Sequence, residues 1–199
     1  MSAPATKTIH DLNGTWVMSK TLSDDMDPSL VIQGIPWIVR KAVSWATITG
    51  NLTQKKDTAG YTAITIAQTA TGGIKGETET HRIDNSEIAH SSAMFGTQRV
   101  RTSWLDLVNH KPATGVSTGE GLDPYLTEGW LEDGGNDGSP GHILVHVSSD
   151  KSGWTAQQVW GFALIDGKRH FVKRFIVRNR EQDQRADVRI VYEWVPPKP

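Results

Sequence analysis

From residue 46 onward the chain alternates apolar and polar positions in short runs separated by turn residues. Residues 61–70 (YTAITIAQTA) put Ile64 and Ile66 on one side and smaller residues on the other, the period-two pattern of a half-buried strand. Residues 46–54, 87–95, 98–107 (QRVRTSWLDL), 142–148 (HILVHVS), 155–165 (TAQQVWGFALI), 169–178 (RHFVKRFIVR) and 186–195 (ADVRIVYEWV) also read as strands, and residues 76–83 (GETETHRI) as a polar one. Turn chemistry divides them: residues 56–60 (KDTAG), Gly72-Gly73, residues 84–86 (DNS) and above all Asp166-Gly167, a strong hairpin signal.

Two stretches break this rhythm. Trp16-Val17-Met18 enters a first strand, and Ser23, Asp24 and Asp25 then supply side-chain oxygens that suit a helix start. Pro28 suits a first helical turn. Gly34 and Pro36 separate one short helix from a second at residues 37–45, which carries Trp37, Ile38, Val43 and Trp45 with Arg40 and Lys41. Neither is long enough to be stable alone, so both must dock. The second break, residues 108–141, is dense in Gly, Pro, Asp and Thr. It reads as a surface insertion at a barrel rim, with one short helix near residues 123–130, Asp123 as its cap and Pro124 at its first position.

The expected architecture is all-β. It is a closed antiparallel up-and-down β-barrel of about ten strands, with a two-helix lid (residues 24–45) and one long loop insertion (residues 108–141). Its 199 residues form one domain, with residues 1–10 as a flexible tail. The absence of cysteine excludes disulfides and thiolate chemistry. A net charge of −1 with scattered Lys and Arg gives no basis for nucleic-acid binding. No signal-like or membrane-spanning apolar run is present, so the expected location is cytoplasmic, without stable membrane insertion. The oligomeric state stays open. Eight tryptophans suit either a large core or an aromatic-walled cavity for a small hydrophobic molecule.

Several short motifs, in this order, carry a resemblance. Residues 11–16 (DLNGTW), 20–25 (KTLSDD), Arg40-Lys41, residues 68–76 (QTATGGIKG) and 128–130 (EGW) are similar to the fungal lipocalin-like proteins of the calycin superfamily. Residues 14–16 (GTW), 165–168 (IDGK) and 188–194 (VRIVYEW) also resemble the intracellular fatty-acid-binding proteins. The resemblance implies a ten-stranded barrel with a helical portal and an internal apolar cavity. In the fatty-acid-binding proteins an Arg-x-Tyr on the last strand, helped by a second Arg, holds the ligand carboxylate. Here Arg189 and Tyr192 are two residues apart and face opposite ways on a regular strand, and Phe162 stands where the second Arg belongs. A β-bulge near Ile190 would restore the pairing.

No phosphate-binding loop, dinucleotide fingerprint, HExxH or Gly-x-Ser-x-Gly occurs, so no cofactor is expected. His142 and His146 would lie about 13 Å apart on one strand face, too far to share a metal ion. The face bearing Trp154, Ala156, Gln158, Trp160, Phe162 and Leu164 is the best cavity wall, with Trp37 and Ile38 placed to close over it. Tyr192 and Arg174 complete the expected ligand contacts. The primary expectation is an intracellular carrier of a fatty acid, polyketide or terpenoid. The alternative is a cofactor-independent cyclase or isomerase of secondary metabolism in the same cavity, with Tyr192, His81, His146 and Arg174 as candidate catalytic residues. A weaker reading is an interaction module acting through residues 108–141.

Overall fold

The computed structural model describes residues 1–107, 111–112, 122–131 and 138–197. In chain order its elements are β1 (Gly14–Met18), α1 (Asp27–Ile32), α2 (Trp37–Trp45), β2 (Thr49–Lys56), β3 (Thr62–Ala70), β4 (Ile74–Arg82), β5 (Glu87–Ser92), β6 (Gly96–Asp106), β7 (Lys111–Pro112), α3 (Pro124–Thr127), β8 (His142–Ser149), β9 (Trp154–Ile165), β10 (Lys168–Asn179) and β11 (Gln184–Val195). The strands form one antiparallel sheet in the order β4-β3-β2-β1-β11-β10-β9-β8-β6-β5, with the two-residue β7 added beside β6. The first strand thus pairs with the last, Trp16 opposite Trp194, and the sheet curls into the nearly closed up-and-down barrel that the alternation predicts. Asp166 and Gly167 both take positive φ at the β9–β10 hairpin, as its tight turn requires.

No ladder joins β4 to β5, the two ends of the sheet. Side chains hold that seam. Glu77 accepts hydrogen bonds from the Ser92 hydroxyl and the Ala93 N–H, and Nδ1 of His81 lies 3.1 Å from the Thr102 hydroxyl.

The inner face of β1, β9, β10 and β11 holds an aromatic core. Trp16 meets Phe171 at 5.4 Å and Trp194 at 4.9 Å between ring centres, and Phe162 meets Phe171 at 5.8 Å. The outer face of the same wall is also buried. Leu144, Val159 and Ile176 pack against Leu126 of α3, while Ala163, Val172 and Val191 pack beneath Leu22 and Trp130. Burial on both faces explains why β8 to β10 read as nearly continuous apolar runs rather than strict alternation.

Three expectations are corrected. Residues 1–10 are a packed plug, not a flexible tail. Ile9 and Leu12 are fully buried, Gln54 bonds to the main chain of both, and the Ala3 N–H reaches the carbonyl of Arg169. An apolar residue pair at the open end of a barrel gains more by filling it than by remaining in water. Second, the residue at the N-cap of α1 is Met26, which makes no side-chain cap, and the three expected capping residues divide their roles. Asp24 accepts from the Arg189 N–H, while the Asp25 carboxylate does serve the helix start, accepting from the N–H of Asp27, the first residue of α1. Third, residues 122–131 lie against the outer wall rather than at the rim, with Leu131 bridging to the main chain of Phe162. Asp123 does cap α3, accepting from the Tyr125 N–H. The rest of the predicted insertion, residues 108–110, 113–121 and 132–137, falls outside the described residues.

Two stability predictions follow from this packing. Ile9→Ala should cost about 2–5 kcal/mol in chemical denaturation by opening a cavity in the plug. Gly161→Ala should cost about 1–3 kcal/mol, because a Cβ there would sit 2.5 Å from Cδ2 of the buried His142 and 3.0 Å from the Trp130 ring. A denaturation midpoint unchanged by either substitution would contradict the packing described.

Candidate functional site

Strand pairing decides which side chains enter the barrel. Phe171 lies opposite Phe162 and Tyr192, and Lys173 lies opposite Trp160 and Ile190. The odd-numbered residues of β10 therefore point inward with the aromatic face of β9. On β4, His81 pairs with Ile64 and Glu79 with Ile66, so these two also face inward. Glu79, Gln158, Lys173 and Tyr192 keep some accessible surface although the barrel wall surrounds them. That surface lines an internal space.

The middle of this space carries a compact polar group. Nε2 of His81 lies 3.5 Å from Oε2 of Glu79, whose other oxygen accepts from the Gln68 amide at 3.2 Å. On the other side of the ring, Nδ1 of His81 lies 3.1 Å from the Thr102 hydroxyl. The His81 ring stands edge-on to Trp160 at 4.8 Å. Across from it, Nζ of Lys173 rests 3.6 Å from the Trp160 ring centre and 5.7 Å from that of Tyr192. The Trp160 N–H donates to Gln158 at 3.1 Å, which fixes the indole plane.

Electrostatics binds these groups together. Burial lowers Lys173 to about 8, with attraction from Glu79 opposing the shift. Burial alone would raise Glu79, but contact with His81 and the charge of Lys173 outweigh it and hold the carboxyl below its ordinary range. Burial holds the His81 imidazole below its usual value, against the pull of Glu79. Burial and the Glu79 charge push the Tyr192 phenol up, so it stays protonated. At neutral pH these four groups are thus one ammonium, one carboxylate, a neutral imidazole and a phenol. Glu79 and Lys173 attract each other without forming a contact ion pair.

The residues expected from sequence divide accordingly. Trp154, Gln158, Trp160, Phe162, Tyr192 and His81 all face inward, with Trp154 near the lid beside Ile32. Leu164, expected on the same wall, is 57% exposed. Arg174 and His146 lie on the outer face, because each is one residue out of phase with the inward set. Arg174 is held by the Glu128 carbonyl and stacks 4.8 Å from the Trp130 ring. His146 sits between Arg101 and Gln157. His142, on the same outer face as His146, is fully buried against Trp130 and lowered to about 4 by burial. Trp37 and Ile38 are 63% and 72% exposed, so in this conformation they do not cover the cavity. Arg189 and Tyr192 keep opposite facings, Arg189 pairing with Asp24 outside, and Phe162 occupies the inner position of the missing second Arg. Lys173 and Glu79 escaped the sequence reading. The usable signal for Lys173 was Phe171 and Phe175 flanking it at spacing two.

A cation buried in the folded state but solvated in the unfolded one opposes folding below its folded pKa. Between pH 8 and 10 the unfolded chain binds more protons at Lys173, so stability should rise with pH across that window. Lys173→Met should remove that rise and stabilise the protein at pH 7 by up to about 3 kcal/mol. Thermal denaturation of both proteins against pH tests this, and a destabilised variant with the slope intact would refute it.

No family model matches the chain. The probable pericyclase scpY of Mollisia scopiformis is 30% identical over 200 residues, covering 99% of this chain and 96% of that protein. The pericyclase pydY of an Acremonium species is 29% identical over 201 residues, covering 100% and 99%. Among solved structures, the Schistosoma mansoni fatty-acid-binding protein with arachidonic acid aligns with a TM-score of 0.56 at 12% identity, covering 92% of this chain and 96% of that one. The Echinococcus granulosus fatty-acid-binding protein 1 aligns with a TM-score of 0.54 at 10% identity, covering 93% and 98%. The fold is that of the fatty-acid-binding proteins. Among the described residues no helix is long and apolar enough to cross a membrane.

Proposed function

The chain belongs to the family of these fungal pericyclases, and from that membership we propose that it catalyses a pericyclic ring closure inside its barrel. The substrate is a largely apolar unsaturated molecule that folds within the cavity, and no cofactor takes part. A pericyclic step moves electrons around a ring of atoms, so its demands on a catalyst are geometric and electrostatic. Holding the chain in its reacting conformer removes conformational entropy from the barrier. A preorganised cation near an activating oxygen lowers it further.

The observation that carries this reading is Lys173. Its ammonium faces the cavity between the rings of Trp160 and Tyr192, and its donors are unspent on protein acceptors among the described residues. We assign it to polarise a carbonyl conjugated with the reacting double bonds. The aromatic face of Trp16, Trp160, Phe162 and Phe171 supports an apolar substrate along the rest of its length. Intracellular transport of a fatty acid, polyketide or terpenoid remains the second reading, supported by the fold shared with fatty-acid-binding proteins. The exposed Trp37 and Ile38 of α2 would serve either reading as contacts for an incoming ligand.

Ring closure isomerises, so substrate and product share one mass. The test is therefore extraction of whatever the protein holds when purified from its own host, followed by chromatographic separation and tandem mass spectrometry. Two equal-mass species, one converting to the other on addition of fresh protein, are expected. Lys173→Met should slow that conversion by on the order of 100-fold or more. A single bound molecule returned unchanged would favour the carrier.

A further inference from the structure

A pericyclic step needs no acid and no base, yet the barrel buries a carboxylate and an imidazole beside its cation. Ionised groups are expensive inside an apolar cavity unless they are paired or used. Gln68 donates to one Glu79 oxygen, Nε2 of His81 lies 3.5 Å from the other, and Nδ1 of His81 lies 3.1 Å from the Thr102 hydroxyl. The carboxylate still keeps surface toward the cavity, its side chain being 34% exposed although it points inward. Lys173 attracts it from β10 without touching it. His81, beside Glu79, and Lys173 both lie against the Trp160 ring, 4.8 Å and 3.6 Å from its centre, so a carboxylate and an ammonium face one interior and form the two halves of an enolisation site. One removes a proton from carbon, and the other stabilises the oxygen on which negative charge develops.

We infer that the same cavity catalyses proton transfer at carbon, with Glu79 as the base and Lys173 as the oxyanion partner, on an enolisable unsaturated carbonyl compound. This rests on the ring-closure reading only for its purpose, which is to generate the conjugated dienol that then closes. The balance is complete without an oxidant or co-reactant. A C–H bond next to the carbonyl breaks, and the proton goes to a Glu79 oxygen. The electron pair forms a C=C bond as the carbonyl becomes an enolate at Nζ of Lys173. The proton then returns from Glu79 to oxygen or to the far end of the conjugated system. His81 is a positioning residue that aims Glu79 and keeps it ionised. Its replacement by Gln, which still offers a donor, should preserve more activity than replacement by Phe.

The charged and titratable groups facing Lys173 are Glu79 and His81 of β4, His90 of β5 and Tyr192 of β11. Activity requires the carboxylate ionised and the ammonium protonated. It should therefore be flat near neutrality and fall as pH rises through about 8, where Lys173 loses its charge.

The test uses the full chain and hexadec-4-en-2-one, an apolar ketone with a β,γ double bond that contains no ring-forming partner. Displacement of a bound apolar fluorophore sets a saturating concentration. Mass spectrometry then follows deuterium uptake from heavy water, and ultraviolet absorption follows conversion to the conjugated 3-en-2-one. Wild-type protein should accelerate both over buffer. Glu79→Gln and Lys173→Met should each lower the rate on the order of 100-fold while still binding the fluorophore. Ketone that displaces the fluorophore yet exchanges no faster than in buffer overturns the proposal and leaves the ring-closure reading standing. Ketone that does not displace it overturns both readings at once, because the cavity would not accept an apolar carbonyl chain. Exchange that persists in Glu79→Gln removes Glu79 from the base role and overturns the assignment.

Discussion

A charge placed inside an apolar barrel has to be answered by its surroundings, and here the answer to Lys173 organises the interior. Its ammonium lies against the Trp160 face, and Glu79 supplies the opposite charge from across the cavity. Glu79 is in turn held by His81 and Gln68, and His81 by Thr102 across the open seam of the sheet. Around this group the wall is aromatic, so what electrostatic field exists is concentrated on whatever occupies the space. The outcome is a mostly apolar container with one directed polar feature, the usual makeup of a small-molecule site.

The barrel wall can hold that arrangement because it is supported from outside as well as within. The described part of the insertion covers β8 to β10, and Leu22 and Trp130 cover the strip next to it. The N-terminal segment fills the end opposite the lid with Ile9 and Leu12. By contrast, α2 buries none of its residues, and Trp37, Ile38 and Trp45 stand largely in water. Buried packing is thus concentrated at the plugged end and the covered wall, and within the lid α1 is anchored by Leu30 and Ile32 while α2 is not. A cavity that must admit a ligand and then hold its shape needs that division of stability.

Strand order, hairpins and the two-helix lid were legible because they follow from local rules. Period-two alternation marks strands, Asp-Gly fixes a hairpin, and Gly34 with Pro36 splits the lid. The burial of residues 1–10 was not legible, since a short polar-looking tail gives no local sign that a barrel end awaits its one isoleucine. The site was half legible. Trp160, Phe162, Tyr192 and His81 were found as members of aromatic or unusual faces. Glu79 was passed over because residues 76–83 read as a polar strand, and Arg174 was preferred to Lys173 as the internal cation.

The choice between Arg174 and Lys173 marks the limit. In residues 169–178 each face of the strand carries apolar residues and two cations, so the sequence alone determines only that Arg174 and Lys173 point opposite ways. Both faces are buried, one by the barrel interior and one by α3 and Trp130, so hydrophobicity cannot rank them. The pairing of Phe171 with Phe162 and Tyr192 decided it, because an antiparallel ladder forces every residue in register with an inward neighbour to point inward too. The sequence by itself determined a lidded antiparallel barrel with aromatic faces. Which charges stand inside it was decided by tertiary register, since a one-residue phase difference, invisible to composition, separates the interior from the outer wall.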